Sequence, residues 1–332
     1  MKKILVIRFS SIGDMVLTTP VIRCLKQQLP GCEVHYLTKN QFKPILVNNP
    51  YIDKIITIEH KIDEVVDVLR AEEYDHIIDL HKNFRSLAIR KKLGVKATSF
   101  PKLNFQKWIL VHFKLNRMPH LHIVDRYFKA VKSLEVKNDL KGLDYFIPEE
   151  DEVLLSSLPV AFRLRYVGFV IGGKHRTKQL PVEKAVDILS GIDVPVIILG
   201  GPEDRAQAEE IIRELKGDVL NACGKYNLNQ SASLVKQANV IVSNDTGLMH
   251  IAAAFDKRIV SVWGNTVPDF GMYPYLPGKE KLSVIVEVKG LSCRPCSKIG
   301  FEKCPKGHFD CMHLIKSNSV ANQVNKFLAI NY

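Results

Sequence analysis

No stretch of this 332-residue chain approaches the roughly 18 consecutive apolar residues of a membrane span. The apolar Ile4-Leu5-Val6-Ile7, set between Lys3 and Arg8, is too short for a signal peptide. The expectation is a cytoplasmic protein whose membrane contact is peripheral. Seven cysteines occur, an odd number, and without an export signal they argue against a disulfide framework. No G-x-x-x-x-G-K-[ST] is present, and no G-x-G-x-x-G follows the first strand of either half. Those absences disfavour a P-loop kinase and a dinucleotide-dependent dehydrogenase. There is no short internal repeat and no low-complexity tract.

Acidic residues are scarce in one place. Between Lys82 and Lys141 the chain carries 15 Lys plus Arg and 3 acids, which accounts for the whole net charge of +12. Phe84, Phe100, Phe105, Trp108, Phe113, Tyr127 and Phe128 are interleaved with those charges. A solvated helical face with aromatic core anchors is the plain reading. The concentration of like charge favours an anionic partner. The remaining composition, 46% hydrophobic and 25% charged, is that of an ordinary globular enzyme.

Strand-like apolar runs alternate with helical patterns. Strands are expected at Ile4–Arg8, Glu33–Leu37, Lys54–Ile58 and His76–Leu80, and helices at Asp14–Leu29, Ile62–Ala71, Phe84–Leu93 and Ile123–Leu134. Residues Val136–Leu158 read as a link, after which the pattern restarts with strands at Tyr166–Ile171, Val194–Leu199, Val240–Ser243 and Ile259–Trp263. Such alternation predicts an α/β protein with parallel sheets. The expected domains are residues 1–155, residues 156–315, and a C-terminal helix in 316–332 that packs back on the N-terminal domain. Open α/β sheets bind ligands at the carboxyl ends of their strands.

Three loops at such ends carry chemistry. The first is Phe9-Ser10-Ser11-Ile12-Gly13-Asp14. Asp14 reads as a helix cap or as a general base. Ser10 and Ser11 already supply capping oxygens, and Gly13 permits close approach of a ligand. The second loop is Gly172-Gly173-Lys174-His175-Arg176-Thr177-Lys178-Gln179-Leu180-Pro181, where two glycines, four basic or imidazole side chains and a helix start suit a phosphate. An exposed basic loop is the alternative. The third runs Asn244-Asp245-Thr246-Gly247-Leu248-Met249-His250 into an alanine-rich helix. Its first-turn N–H groups are free donors for a diphosphate. Capping by Asp245 and Thr246 explains the helix without explaining His250.

Together these loops resemble glycosyltransferase family 9, the heptosyltransferases of the lipopolysaccharide inner core. Asp79-Leu80-His81-x-Asn83-x-Arg85-Ser86, His122-x-x-Asp125-Arg126-Tyr127 and Gly200-Gly201-Pro202-Glu203-Asp204 are similar to that family as well. The resemblance implies a GT-B fold, two Rossmann-like doubly wound domains facing an inter-domain cleft, with acceptor in the first domain and nucleotide-sugar donor in the second. It implies an inverting, metal-independent transfer of heptose from ADP-heptose to a lipid A–Kdo type acceptor, with no cofactor. Asp14 corresponds to the base. Ser10, Gly13, Gly173, Thr177, Lys178, Asp245, Thr246, Gly247 and His250 correspond to donor-binding positions, and Arg85, His122 and Arg126 to acceptor contacts. No Asp-x-Asp pair follows a strand, as a metal-dependent transferase would need. The expected partners are the ADP-sugar, a lipopolysaccharide core precursor and the anionic inner face of the cytoplasmic membrane, without nucleic acid.

Cys293-x-x-Cys296 followed by Cys304 and Cys311 admits a tetrahedral zinc site. The irregular later spacing favours a reduced thiol cluster instead. Two other functions are weighed against the transferase. One is another GT-B nucleotide-sugar enzyme, a transferase of a different sugar or an epimerase, the latter recognisable by isomerisation of the donor alone. The other is a non-catalytic binder of anionic ligands, nucleic acid included, for which no module signature is present.

Overall fold

The structure, a computed structural model, describes residues 2–330. In chain order the first elements are β1 (Lys3–Ile7), α1 (Ile12–Val16), α2 (Thr19–Gln28), β2 (Glu33–Lys39), β3 (Lys54–Ile58), α3 (Val66–Ala71), β4 (His76–Asp79), α4 (Phe84–Leu93), β5 (Ala97–Ser99), α5 (Asn104–Phe113) and α6 (Ile123–Phe128). There follow β6 (Val167–Val170), α7 (Val182–Leu189), β7 (Val196–Leu199), α8 (Arg205–Arg213), β8 (Val219–Asn221), α9 (Leu228–Gln237), β9 (Val240–Asn244), α10 (Gly247–Ala254), β10 (Arg258–Trp263), β11 (Ser283–Glu287), α11 (Asp310–His313) and α12 (Ser317–Ala329). Two compact units result. The first comprises residues up to Lys102 together with Leu121–Phe146. The second comprises Leu103–His120 and the chain from Ile147 onward.

Each unit holds one sheet whose pairs are all parallel, in the order β3-β2-β1-β4-β5 in the first and β11-β10-β9-β6-β7-β8 in the second. Parallel strands are covered on both faces, which is why they read as unbroken apolar runs. Alternate residues go to opposite faces. Leu5 and Ile7 of β1 accordingly join Leu37, Ile58 and Ile77 in one cluster beneath α3 and α4. Val167 and Phe169 of β6 join Val240, Val242, Val260 and Val262 beneath α7, α8 and α12. The strand order reverses between β1 and β4 in the first sheet and between β6 and β9 in the second. Loops at such switch points are the natural ligand positions of a doubly wound sheet, and all three loops singled out above follow β1, β6 or β9.

Three expectations are revised. The single helix over 14–29 is two, because Pro20, in the first turn of α2, has no N–H to continue the ladder. Thr18 and Thr19 instead turn their hydroxyls back onto the carbonyls of Met15 and Val16, both at 2.7 Å. The division of the chain lies at 146/147, with α5 an excursion into the second unit, rather than at 155/156. The final helix belongs with the second unit and not with the first: Val320, Val324 and Phe327, at helical spacing, enter the second sheet's core.

An ion-pair network closes the first unit. Arg23 on α2 is 3% exposed and forks onto Asp139 at 2.8 and 2.9 Å. It also pairs with Asp144 and donates to the Gly142 carbonyl at 2.9 Å. Replacing Arg23 by Met leaves two carboxylates half-buried without their cation. We expect Arg23→Met to lower the unfolding free energy by about 3 kcal/mol, read from the urea midpoint; an unchanged midpoint would show that the network adds nothing to stability.

Candidate active site

In the first unit the β1–α1 loop is organised by Arg8, which the motif reading passed over. Arg8 is 8% exposed. Its Nε donates to the Ser10 carbonyl at 2.6 Å, and one terminal nitrogen donates to the Leu80 carbonyl at 2.6 Å and to the Tyr127 hydroxyl at 3.2 Å. The other lies 2.6 Å from the Asp14 carboxylate. That same carboxylate oxygen accepts the Ser11 hydroxyl at 2.9 Å. Asp14 is therefore at once the third residue of a capping box and the partner of a buried guanidinium, with its side chain 21% exposed. Burial opposes the charge on Arg8, and Asp14 and the neighbouring tyrosines more than offset it, so the guanidinium is held cationic. Ser10 lies in this loop and Gly13 in α1, both on the first unit.

The Asp79 motif is a structural hub beside it. Asp79 is fully buried; one carboxylate oxygen accepts the backbone N–H of His81 at 3.0 Å and of Lys82 at 2.6 Å, and the other accepts the Ser86 hydroxyl at 2.8 Å. Asn83 caps α4. His81 sits edge-on to Phe9 at 5.1 Å, and its Nδ1 is buried without a hydrogen-bond partner among the described residues. Burial, then the charges of Arg8 and Lys102, push its imidazole down to about 3. His81 is thus neutral in the fold well below the pH at which the unfolded chain takes up the proton. Its contribution to stability is full above the ordinary histidine range and is lost as pH falls toward 3. We expect His81→Gln to flatten the fall of melting temperature between about pH 6.5 and 4 relative to wild type; parallel curves would remove His81 from the acid response.

Of the three acceptor positions implied by the resemblance, Arg85 alone is exposed, in the first turn of α4. The other two are buried. His122 is 2% exposed and caps α6, its Nδ1 accepting the Val124 N–H at 3.2 Å. Arg126 is 0% exposed, and burial lowers its affinity for the proton.

In the second unit Lys178 Nζ lies 2.6 Å from the Asp245 carboxylate, and the Thr266 hydroxyl donates to the same oxygen at 3.0 Å. This brings together the loops that follow β6, β9 and β10. Gly173 lies against both motifs: a Cβ there would stand 3.7 Å from Thr246 and 3.8 Å from Lys178. Gly172 and Gly200 flank the Asp204 carboxylate so closely that a Cβ would come within 2.5 and 2.8 Å of it. Asp204 in turn accepts the Gly201 N–H at 2.8 Å. Gly172 and Gly200 are therefore a packing requirement of the loops, whereas a Cβ on Gly173 would meet only ordinary contacts. Thr246 is the N-cap of α10 with its hydroxyl 3.3 Å from that of Ser243, and Gly247 opens the helix. His250 is buried one turn in. Thr177 is buried too, and its hydroxyl both accepts the Phe301 N–H and donates to the Phe301 carbonyl, at 2.8 and 3.0 Å. It tethers the cysteine-bearing loop to the Lys178 loop.

Asn265, between Gly264 and Thr266, was not foreseen. Its carboxamide is 1% exposed, and neither its oxygen nor its nitrogen has a hydrogen-bond partner among the described residues. An unsatisfied buried amide is costly, and the Gly-Asn-Thr after β10 was its only sequence trace. Arg294 braces the same turn from the cysteine loop, donating to the carbonyls of Gly264 and Thr266 at 2.5 and 2.8 Å and pairing with Glu287 at 2.8 Å. The cysteines themselves are free thiols. Burial pushes Cys311 up to about 12 and raises Cys296. Among the described residues no group of three or more His, Cys, Asp or Glu is placed to hold a metal ion, which leaves the zinc reading without geometric support.

The sequence pattern of glycosyltransferase family 9 (heptosyltransferase) matches residues 63–301. The chain belongs to that family. It is 26% identical over 356 aligned positions to the lipooligosaccharide heptosyltransferase 2 of Haemophilus ducreyi, covering 98% of this chain and 99% of that one. Among solved structures, a family 9 glycosyltransferase from Veillonella parvula superposes with a TM-score of 0.79 at 22% identity, over 98% and 97% of the two chains. The ADP-heptose heptosyltransferase II of E. coli does so at 0.73 and 22%, over 99% and 98%. Those likenesses establish the GT-B pair of Rossmann-like domains for this family 9 glycosyltransferase. No helix among its described residues is long and apolar enough to cross a membrane.

Proposed function

We propose that this glycosyltransferase moves a heptose from ADP-heptose onto a lipopolysaccharide inner-core acceptor, with inversion and without a metal, at the inner face of the cytoplasmic membrane. The observation that carries this reading is the Lys178–Asp245–Thr266 cluster where three loops meet at the carboxyl ends of the second sheet. A lysine held by a carboxylate, beside the opening turn of α10, suits a diphosphate that leaves as an anion. Asn265 supports the reading as a buried amide that a donor's hydroxyls or base edge would satisfy.

In the proposed reaction an acceptor hydroxyl attacks the anomeric carbon. Its proton passes to the Asp14 carboxylate, the new C–O bond forms opposite the departing oxygen, and ADP leaves with the bonding electrons. Lys178 and the α10 N–H groups take up the charge that develops on the diphosphate. Arg8 orients Asp14 before the transfer. The acceptor's phosphates and carboxylates meet the positive charge between Lys82 and Lys141, with Arg85 the exposed member of the acceptor set. The curated relatives include lipopolysaccharide heptosyltransferases 1, 2 and 3, so the acceptor hydroxyl is the open variable. Incubation with ADP-heptose and a panel of truncated core acceptors, followed by mass spectrometry, tests the proposal. One acceptor should gain a single heptosyl unit with release of ADP. Isomerisation of the donor alone, or no product with any acceptor, would overturn it.

A further inference from the structure

The segment Leu103–His120 belongs to the second unit and contains no acidic residue, against Lys107, Lys114 and Arg117. Its helix α5 is anchored on one side. Leu110, with Leu103 and Val111, packs against Val267, Phe270 and Met118. Lys107 stands 5.6 Å over the Phe270 ring, Asn116 donates to Asp269 at 2.5 Å, and Lys114 ties to the Pro295 carbonyl at 2.7 Å. At 100° per residue, Phe105 and Trp108 fall on the face opposite Leu110, while Phe113 lies about 60° from Leu110, at the helix's C-terminal end. All three rings are uncovered: Phe105 is 68%, Trp108 47% and Phe113 60% exposed, and Leu115 just beyond is 55% exposed. The rings lie against one another, Phe105 stacked on Trp108 at 6.3 Å and Phe113 edge-on to it at 5.3 Å. A fold that needed this helix only for packing would not turn a ring cluster to water.

We infer that this aromatic face of α5 is the element that enters the headgroup layer of an anionic bilayer. Aromatic side chains partition to that layer, and a helix with exposed aromatic rings in a segment whose own charges are all basic lies in its plane. The sign of the charge decides for anionic lipid against a neutral surface. This deepens the reading of a membrane-borne acceptor, and it is tested without any sugar transfer, so either can fail alone.

The chain has two tryptophans, and Trp263 is 1% exposed in β10, so a lipid-induced change in emission reports Trp108. Full-length protein is mixed with vesicles of phosphatidylcholine alone or with about one third phosphatidylglycerol, a composition that sets a negative surface potential. The anionic vesicles should shift the emission to the blue and carry the protein down on sedimentation, and the neutral ones should do neither. Added salt should weaken the binding. Phe105→Gln with Phe113→Gln should lower vesicle affinity about tenfold or more, with melting temperature unchanged because both rings are exposed, and transfer to a delipidated acceptor retained. Unshifted emission, or equal binding by the double variant, overturns the inference. So does a lipid-independent dimer that the double variant abolishes, which would assign the face to a second copy of the chain.

Discussion

Asp14→Asn is expected to lower the turnover number by about a thousandfold, within the range that removal of a positioned base produces, while ADP binds within about twofold of wild type. The asymmetry follows from where the groups sit. Asp14 is in the first turn of α1 in the first unit, whereas the lysine and helix start proposed for the diphosphate are on the second unit. Asn keeps the shape, and its carboxamide can still accept from Ser11, but it cannot take a proton from the acceptor. It also leaves Arg8 without its anion, and a buried guanidinium so deprived destabilises the loop. The melting temperature should therefore fall, and kinetics should be read well below it. Asp14→Glu is the companion variant: it restores a base and the charge pair with altered reach, and should recover stability more fully than rate. Near-normal turnover by Asp14→Asn would leave the carboxylate a helix cap and Arg8 a structural ion-pair partner.

Lys178→Ala should weaken ADP binding by about 10–100-fold, the consequence of removing one member of a half-buried charge pair. Two effects combine. The diphosphate loses its cation, and the Asp245 carboxylate, left with the Thr266 hydroxyl, repels the incoming anion. The second effect can be isolated. Lys178→Ala combined with Asp245→Asn removes the stranded charge, and titration calorimetry should show the double variant binding ADP more tightly than Lys178→Ala alone. That coupling is the signature of a pair that meets a ligand. If ADP affinity is unchanged and only stability falls, the pair is structural and the diphosphate lies elsewhere.

Much of this was legible because it is local. Buried parallel strands are short apolar runs, and their ends are marked by glycine, serine or aspartate; β1, β4, β6, β9 and β10 were all readable for that reason. The weaker elements were not. β11 is an edge strand of intermediate burial, its Ser-Val-Ile-Val-Glu no different from a half-exposed loop. Helix α5 was hidden inside a basic stretch whose charge drew attention away from its apolar side. Pro20 was in plain view, but its effect on the helix depends on Thr18 and Thr19 answering with their hydroxyls.

From the residues alone came the pair of doubly wound units, the family, and the loops at strand ends that bear Asp14, Lys178 and Asp245. The units and the loops follow from periodicity and short spacings, and the family from the resemblance of its motifs, all of which the chain carries whether or not it is folded. Tertiary structure alone decided which side chains stand beside which: Arg8 reaching Leu80 and Tyr127 from distant parts of the chain; His122 and Arg126 buried; Thr177 tied to Phe301 more than a hundred residues on. The reason is that burial and pairing depend on distances set by the packing of elements far apart in the chain, and no local spacing encodes them.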